Sequence, residues 1–251
     1  MYNNSVIYVC DGSFEGILSA VHCAYYSHEN PERIMCGDDC QQQLFCETKA
    51  IETDLEKARR VQNAISEKIS PNALFNVYRV HLSDEKDRAT MIFNYLKIGF
   101  NIGAKVDMYL SDKWVSMIHG TARRVSREAC RMREFVRFAE MENGVLFAQI
   151  EPDNNVLEMI CSHFANRLCS LPWVICDKRR SIAAIYDTKK WEIVRFDEKN
   201  RIDMCEDEEK YQRMWKRFYN IIGIESRRND RQRMQCMPKK YWKNMTEFKG
   251  A

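Results

Sequence analysis

The residues best suited to acid–base chemistry surround one histidine in the second half of the sequence. His163 and Arg167 lie four positions apart in SHFANR, a spacing that places both side chains on one face of a helix. Asp177 ends the segment WVICD and is followed by Arg179 and Arg180. A histidine, a carboxylate and arginines that meet in a cleft suit general acid–base catalysis on a phosphate or glycosidic bond. The alternative is a partly buried, hydrogen-bonding histidine beside a solvated DKRR turn.

Asp11 is a further carboxylate in a position that favours ligand binding. It opens DGSFEG, a turn between a predicted strand at 5–10 and a predicted helix at 14–26. In α/β folds ligands bind at the carboxyl ends of strands, where the next helix offers backbone amides to an anion. The turn matches neither G-x-G-x-x-G nor a Walker loop, so a purely structural turn stays open as the alternative. The candidate catalytic residues are therefore His163, Asp177 and Asp11.

An arginine-rich helix predicted near the middle of the chain favours contact with phosphates. Arg123, Arg127 and Arg131 lie four residues apart and form one ridge on that helix. The planar guanidinium group suits bidentate phosphate contacts. Pairing of these arginines with Glu128 and Glu134 is the alternative, and it would make the segment an ordinary exposed helix.

A second basic stretch, at 227–242, interleaves arginine and lysine with aromatic and methionine side chains. Residues 210–250 hold twelve basic and three acidic residues, a surplus of nine, whereas the whole chain carries +3. Phosphate groups and exposed bases are bound by this kind of surface. The alternative is that the tail folds back onto the body of the protein and only its charges contact solvent. We expect an ordered tail that packs against the body and also presents its basic face to a nucleic acid. The predicted nucleic-acid-binding residues are Arg123, Arg124, Arg127, Arg131, Arg167, Arg179, Arg180, Arg227, Arg228, Arg231, Arg233, Lys239, Lys240, Tyr241 and Trp242.

Composition excludes several classes of protein. A hydrophobic fraction of 45% with only 9 Gly and 5 Pro is typical of a folded chain. No apolar run approaches the roughly 20 residues of a membrane-spanning helix, so we expect no membrane and a cytoplasmic location. The 11 cysteines are odd in number, scattered and without a CxxC pair, which predicts reduced thiols, no metal and no cofactor. Metal binding by Cys36, Cys40 and Cys46 stays open.

Apolar periodicity predicts a mixed α/β fold of the α+β class. A strand–helix unit with several helices comes first, and a small, mainly antiparallel sheet flanked by helices follows. We predict domains at 1–120 and 121–251, with one intimately packed domain as the alternative. Three short strands from 173 to 196 form a meander, and in the last helix Tyr211, Trp215, Phe218 and Ile222 are expected to face the core. The other elements are helices at 54–69, 72–81, 84–102, 126–141 and 154–171, a strand at 144–152, and extended chain at 43–53.

Several stretches resemble a bacterial family of "probable DNA metabolism proteins" that carries a domain of unknown function. A fairly specific pattern among them is I-x-x-R-x-N followed by M-P-x-x-Y-W, here from Ile224 to Trp242. The resemblance implies a genomic partner, a radical S-adenosylmethionine (radical SAM) protein that modifies or repairs DNA. In some lineages the domain is fused to a uracil-DNA-glycosylase-like domain, and this chain resembles the stand-alone form. Its CGDDC segment continues to Gln43 where a radical SAM cluster needs a third cysteine, so radical chemistry is expected in the partner.

Three hypotheses of function follow. The first is a DNA-binding accessory protein in DNA repair or modification, acting with the radical SAM partner. The second is a hydrolase acting on DNA, a nuclease or a glycosylase-like enzyme, that uses His163 and Asp177. The third is a protein-interaction module for the radical SAM partner without direct DNA contact. Whether the protein is an enzyme stays open at this point.

Overall fold

The computed structural model describes residues 6–37, 47–196, 204–205, 207–227 and 229–248. Two compact units divide the chain, Met1–Ser126 and Arg127–Ala251. Four residues singled out above, Cys40, Gln43, Cys46 and Arg228, lie outside the described residues. Within the described part of the chain, no helix combines the length and the apolar character needed to cross a membrane.

A three-stranded parallel sheet forms one layer of the first unit. Its order is β2-β1-β3, and the central strand is the buried, β-branched segment that the sequence predicts. The turn after β1 leads directly into α1, whose first turn is capped by Ser13: the side chain accepts from the Gly16 amide at 2.9 Å. Both predicted elements are confirmed. The bounds are β1 Val6–Cys10, α1 Phe14–Tyr26, β2 Arg33–Cys36 and β3 Glu47–Ala50.

Three helices predicted from apolar spacing pack into the core of the same unit. Asp54 and Ser70 cap the first two, and Pro71 occupies the first turn of the second, where its missing amide hydrogen costs nothing. A short π-helical segment, Ile65–Ile69, continues the first helix and completes the predicted span of 54–69. The bounds are α2 Leu55–Ala64, α3 Pro71–His81 and α4 Arg88–Ile102.

The long helix α5, Lys113–Phe135, differs from its predicted span of 126–141 at both ends. It begins earlier because Val115, Ile118 and Val125 continue the same helical repeat and are fully buried. It ends earlier because residue 139 already pairs with the strand that follows. The boundary between the two units falls within this helix.

A five-stranded sheet with order β4-β5-β6-β7-β8 forms the centre of the second unit. β5 and β6 are parallel and are joined by α6, whereas the remaining pairs are antiparallel, so the predicted meander and the α+β class are confirmed. The bounds are β4 Ala139–Glu140, β5 Leu146–Ile150, α6 Leu157–Arg167, β6 Trp173–Asp177, β7 Ile182–Tyr186 and β8 Trp191–Arg195.

The last predicted helix exists as α7, Glu208–Ile222, but its expected packing is wrong. Tyr211 is 58% exposed, Trp215 40% and Phe218 52%, and Ile222 is exposed as well. A 3.6-residue repeat places such side chains on one face of a helix without specifying what that face contacts. Here the end of the chain covers only part of the face: Tyr219 meets Phe248 with ring centroids 5.7 Å apart. A short helix, α8, Asp230–Cys236, follows.

Candidate functional site

Two adjoining cavities in the second unit, of about 590 and 580 Å³, form a groove lined by arginine and aromatic side chains. Both cavities are lined by Arg137, Phe138 and Arg167, so they lie next to one another. We call this surface the arginine groove. Its characteristic residues are Arg133, Arg137, Phe138, His163, Arg167 and Trp215.

Four segments position the side chains of the arginine groove. The end of α5 carries Arg133, the connection to β4 carries Arg137 and Phe138, and α7 carries Trp215. The fourth segment is α6, in which Leu157, Ile160, Cys161 and Phe164 are buried. That packing turns the other face of α6, with the histidine and arginine of SHFANR, towards the groove.

The three arginines of the groove differ in whether another residue already binds the guanidinium group. Arg137 is bound by Glu247 through two hydrogen bonds of 2.7 and 3.2 Å, and its guanidinium lies 5.8 Å from the Trp215 ring centroid. Arg133 donates one hydrogen bond of 2.9 Å to the carbonyl oxygen of Met159. Arg167 is exposed and has no partner among the described residues. Arg133 and Arg167 therefore supply the unmatched positive charge.

Acidic side chains also line the groove. Glu208 is buried and accepts hydrogen bonds from the Glu140 amide at 3.0 Å and from Gln212 at 2.7 Å. Glu134 is exposed on the rim shared by both cavities and forms no ion pair with a described residue. In number the three arginines are balanced by Glu134, Glu208 and Glu247, but Arg133 and Arg167 form no ion pair with a described residue.

His163 lines the groove with one ring nitrogen unsatisfied. Its Nε2 is buried and has no hydrogen-bond partner among the described residues. Burial, with Arg133 and Arg167 nearby, lowers the pKa of His163 below its ordinary value. The imidazole is therefore neutral at pH 7 and able to accept a proton or a hydrogen bond.

Asp177, the proposed partner of His163, is committed to a turn instead. It is fully buried and accepts hydrogen bonds from the Arg179 amide at 3.0 Å and from Arg180 Nη1 at 2.9 Å. Burial raises the pKa of Asp177, and Arg180 offsets only part of that shift. Arg179 and Arg180 also donate to the carbonyl oxygen of Asp153. In the described structure no hydrogen bond joins His163 to Asp177.

The arginines of α5 are not paired with Glu128. Arg123 and Arg127 are exposed and have no partner among the described residues. Arg124 pairs with Glu85 and donates to Thr121 at 3.0 Å, and Arg131 donates to the carbonyl oxygen of Gln235 at 3.4 Å. The ridge therefore keeps exposed guanidinium groups.

Glu128 itself points into the second unit and anchors the end of the chain. It is 5% exposed and accepts hydrogen bonds from the backbone amides of Asp153 and Asn154, both at 2.8 Å. The hydroxyl of Tyr241 donates to it at 2.5 Å. Tyr241 is 4% exposed, and burial raises the pKa of its hydroxyl. We leave Tyr241 out of the proposed binding surface.

The remaining predicted residues of the tail form a partly docked basic segment. Trp242 stacks on Phe248 with ring centroids 4.4 Å apart, and the Arg233 guanidinium lies 5.2 Å from the Trp242 centroid. Arg233 also pairs with Asp230 at 3.0 Å, while Lys240 pairs with Asp153. Three further cations, Arg227, Arg231 and Lys239, are exposed and form no ion pair with a described residue.

A third cavity, of about 820 Å³, lies between α7 and α8. It is lined by Ile224, Arg227 and Asn229, the positions of the I-x-x-R-x-N pattern. Asn229 has a local structural role, because its side chain caps α8 by accepting from the Gln232 amide at 3.0 Å. Arg233 also lines this cavity but pairs with Asp230, so Arg227 is the lining cation that forms no ion pair with a described residue.

Asp11, in the first unit, already binds the Ser13 amide of the turn in which an external anion would be held. Its carboxylate accepts from the Ser13 amide at 2.9 Å, the Ser13 hydroxyl at 2.7 Å and the Thr53 hydroxyl at 2.8 Å. Although burial raises the pKa of Asp11, these hydrogen bonds outweigh it and the pKa lies below its ordinary value. Gly16 leaves room for this arrangement, since a Cβ there would collide with the Asp11 carboxylate.

Sequence reasoning missed the aromatic walls of the groove. Phe138 lay inside a helix predicted to continue to 141, and Tyr211 and Trp215 were expected in the core. The sequence signal that could have indicated an exposed aromatic wall is at Trp215, which is flanked by Arg213, Lys216 and Arg217. Arginine beside an aromatic side chain is as typical of a binding surface as of a core edge.

Comparison with known families gives one match. A family described as domain of unknown function DUF4130 matches residues 86–247. No curated protein and no solved structure matches the chain. The matched span includes every residue that lines the arginine groove.

Proposed function

The chain belongs to the DUF4130 family, and from that premise we propose that it is a DNA-binding accessory protein in DNA repair or modification. The observation that carries the proposal is the arginine groove. There Arg133 and Arg167, which form no ion pair with a described residue, line the same groove as the aromatic rings of Phe138 and Trp215. Guanidinium groups bind phosphates, and aromatic rings stack on bases that are out of the duplex. This combination favours a single-stranded or unstacked segment of DNA.

Further cations of the second unit support the proposal. Arg127 on α5 and Arg227, Arg231 and Lys239 in the tail are exposed and without ion-pair partners among the described residues. Charges of this kind bind phosphates without reading sequence. Arg180 and Lys240 contribute less, because each is already held by a carboxylate.

We further propose that the protein acts with a radical SAM enzyme. The support is the resemblance carried by the pattern from Ile224 to Trp242 and the missing third cysteine at Gln43. A partner would supply the radical chemistry, and this chain would hold the DNA strand. The family description itself assigns no activity.

DNA binding measured against salt tests the proposal. If about four to six phosphates are neutralised, the logarithm of the association constant should fall against log salt with a slope of roughly −3 to −5. Fluorescence anisotropy with single-stranded and duplex oligonucleotides gives both the slope and the strand preference. Arg133→Ala with Arg167→Ala should make the slope less steep by about 2, one for each lost phosphate contact.

Two comparisons make this result specific. Trp215→Ala should weaken single-strand binding by about 1–3 kcal/mol without changing the salt slope, because stacking is lost and no charge is. Arg59→Ala with Arg60→Ala, at exposed positions of α2, removes the same charge and should leave binding nearly unchanged. Absence of binding at roughly 50 mM salt would overturn the proposal. Nuclease-resistant co-purification with the radical SAM partner would then favour a protein-interaction module.

A hydrolase is the second candidate, and one observation favours it. His163 lines the groove with a lowered pKa, and the neutral imidazole is the form that serves as a general base. Uracil-containing, abasic and nicked DNA, with and without divalent metal, are the substrates to test. If the protein is such a hydrolase, His163→Gln should lower the rate of DNA hydrolysis by about 10²- to 10⁴-fold while DNA affinity and folding are retained. Equal product from wild type and His163→Gln would exclude it.

A further inference from the structure

Cys10 and Cys36 lie side by side in the first unit, and the proposed DNA binding does not involve them. They end β1 and β2 and are opposite one another in the register of these parallel strands. Their Sγ atoms are 3.9 Å apart. Cys10 is buried, whereas Cys36 is partly exposed.

The register of the two strands is compatible with a disulfide. Neighbouring strands in a sheet are about 4.7–4.9 Å apart, and Cα atoms joined by a disulfide are usually about 4.4–6.8 Å apart. The Sγ atoms must approach from 3.9 Å to about 2.05 Å, which rotation of the side chains can provide. The pair can therefore close without a change of register.

The surroundings distinguish the two sulfur atoms. A hydrogen bond from the Cys10 thiol, aided by the charge of Arg88 and opposed by burial and Asp11, lowers the pKa of Cys36 to about 7. Hydrogen bonding to Cys36 and burial raise the pKa of Cys10. Arg88 Nε is buried and has no hydrogen-bond partner among the described residues, so the guanidinium has capacity to bind a thiolate or an anionic reagent.

We propose that Cys10 and Cys36 form a redox-active pair that reacts with low-molecular-weight disulfides such as glutathione disulfide. Cys36, which is partly exposed and lies next to Arg88, is the attacking thiolate. Cys10, buried within reach of the Cys36 sulfur, is the resolving thiol. A carboxylate-bearing disulfide such as glutathione disulfide suits this site because Arg88 attracts its negative charge.

The reaction balances in two exchanges. The Cys36 thiolate attacks one sulfur of the small disulfide, whose S–S bond breaks; a mixed disulfide forms and one thiolate leaves. The Cys10 thiol then loses its proton to solvent, and its sulfur attacks Cys36 Sγ. The Cys10–Cys36 bond forms as the second small thiolate leaves, so two electrons pass from the two cysteines to the small disulfide.

Equilibration of the full-length protein in glutathione redox buffers tests this proposal. After acid quench and alkylation, peptide mapping should find Cys10 joined to Cys36. Cys10→Ser should instead accumulate Cys36 as a mixed disulfide with glutathione, and Cys36→Ser should leave Cys10 unmodified. Pairing of Cys36 with Cys40 or Cys46, or a Cys36 that stays reduced while the exposed Cys169 reacts, would overturn the proposal.

The rate of alkylation against pH provides an independent readout that does not depend on disulfide formation. Measured peptide by peptide with iodoacetamide, the profile of Cys36 should have its midpoint near pH 7, about 1.5 below that of an ordinary thiol. Cys10→Ala should shift the midpoint upwards, because the thiolate loses its hydrogen-bond donor, whereas Cys10→Ser retains a donor and should shift it less. A wild-type midpoint at or above about 8.5 would contradict the assignment of Cys36 as the attacking thiolate.

Discussion

Glu128→Ala should lower the free energy of unfolding of the second unit by about 3–5 kcal/mol, a loss typical of a broken buried charge network. The carboxylate accepts hydrogen bonds from the amides of Asp153 and Asn154 and from the hydroxyl of Tyr241. Removing it leaves the buried hydroxyl of Tyr241 without its acceptor and takes an acceptor from two partly buried amides; an unpaired buried group costs about 1–3 kcal/mol. It also removes the anchor of the segment that follows α8.

Urea denaturation followed by circular dichroism measures this effect, and two variants calibrate it. Tyr241→Phe removes one donor and retains the ring, so its loss should be about 1–2 kcal/mol. Glu134→Ala removes a carboxylate from an exposed position of the same helix and should change stability by less than about 0.5 kcal/mol. A midpoint for Glu128→Ala equal to that of Glu134→Ala would show that the buried contacts contribute nothing.

The role of Glu128 illustrates what a sequence can and cannot specify. The repeat of Ala129, Met132 and Phe135 predicts the helix and its buried face, because local spacing determines which side chains share a face. Whether Glu128 pairs with the neighbouring arginines or with distant backbone depends on residues 153, 154 and 241, which only the folded chain brings close. The fold class followed from local pattern, but the partners of charged residues did not.

The arginine groove likewise has features that local spacing predicted and features that depend on the folded chain. The spacing of His163 and Arg167 predicted that both lie on one face of α6, and both line one cavity. The apolar stripe of α7 indicated the helix correctly, yet the same periodicity describes a face that is buried and one that is exposed. Trp215, which was expected in the core, therefore lines the groove instead. Asp177 is the first residue of DKRR, and its carboxylate pairs with an arginine of the same segment, Arg180.

Acidification should destabilise the first unit through His81 by about 3 kcal/mol once the pH has fallen to 4. Burial, with the charge of Arg88 nearby, lowers the pKa of His81 from 6.5 to about 4. Its Nδ1 is buried without a hydrogen-bond partner among the described residues, and its ring packs 5.4 Å from that of Phe14. The unfolded chain therefore binds a proton at a higher pH than the folded chain does. Stability is full above pH 6.5 and is lost as the pH falls from 6.5 to 4.

The comparison of wild type with His81→Gln separates this effect from other titrations. Between pH 7.5 and pH 5 the wild type should lose about 2 kcal/mol more than the variant, because only the wild type takes up that proton on unfolding. The difference between the two proteins is needed because His22 has a lowered pKa and shifts stability in the same direction, whereas the raised pKa of Asp177 acts in the opposite direction. His28→Gln, at an exposed position, is the matched control. A nuclear magnetic resonance titration that gave His81 a pKa near 6.5 would contradict the prediction, since a histidine with its ordinary pKa has no linkage to folding.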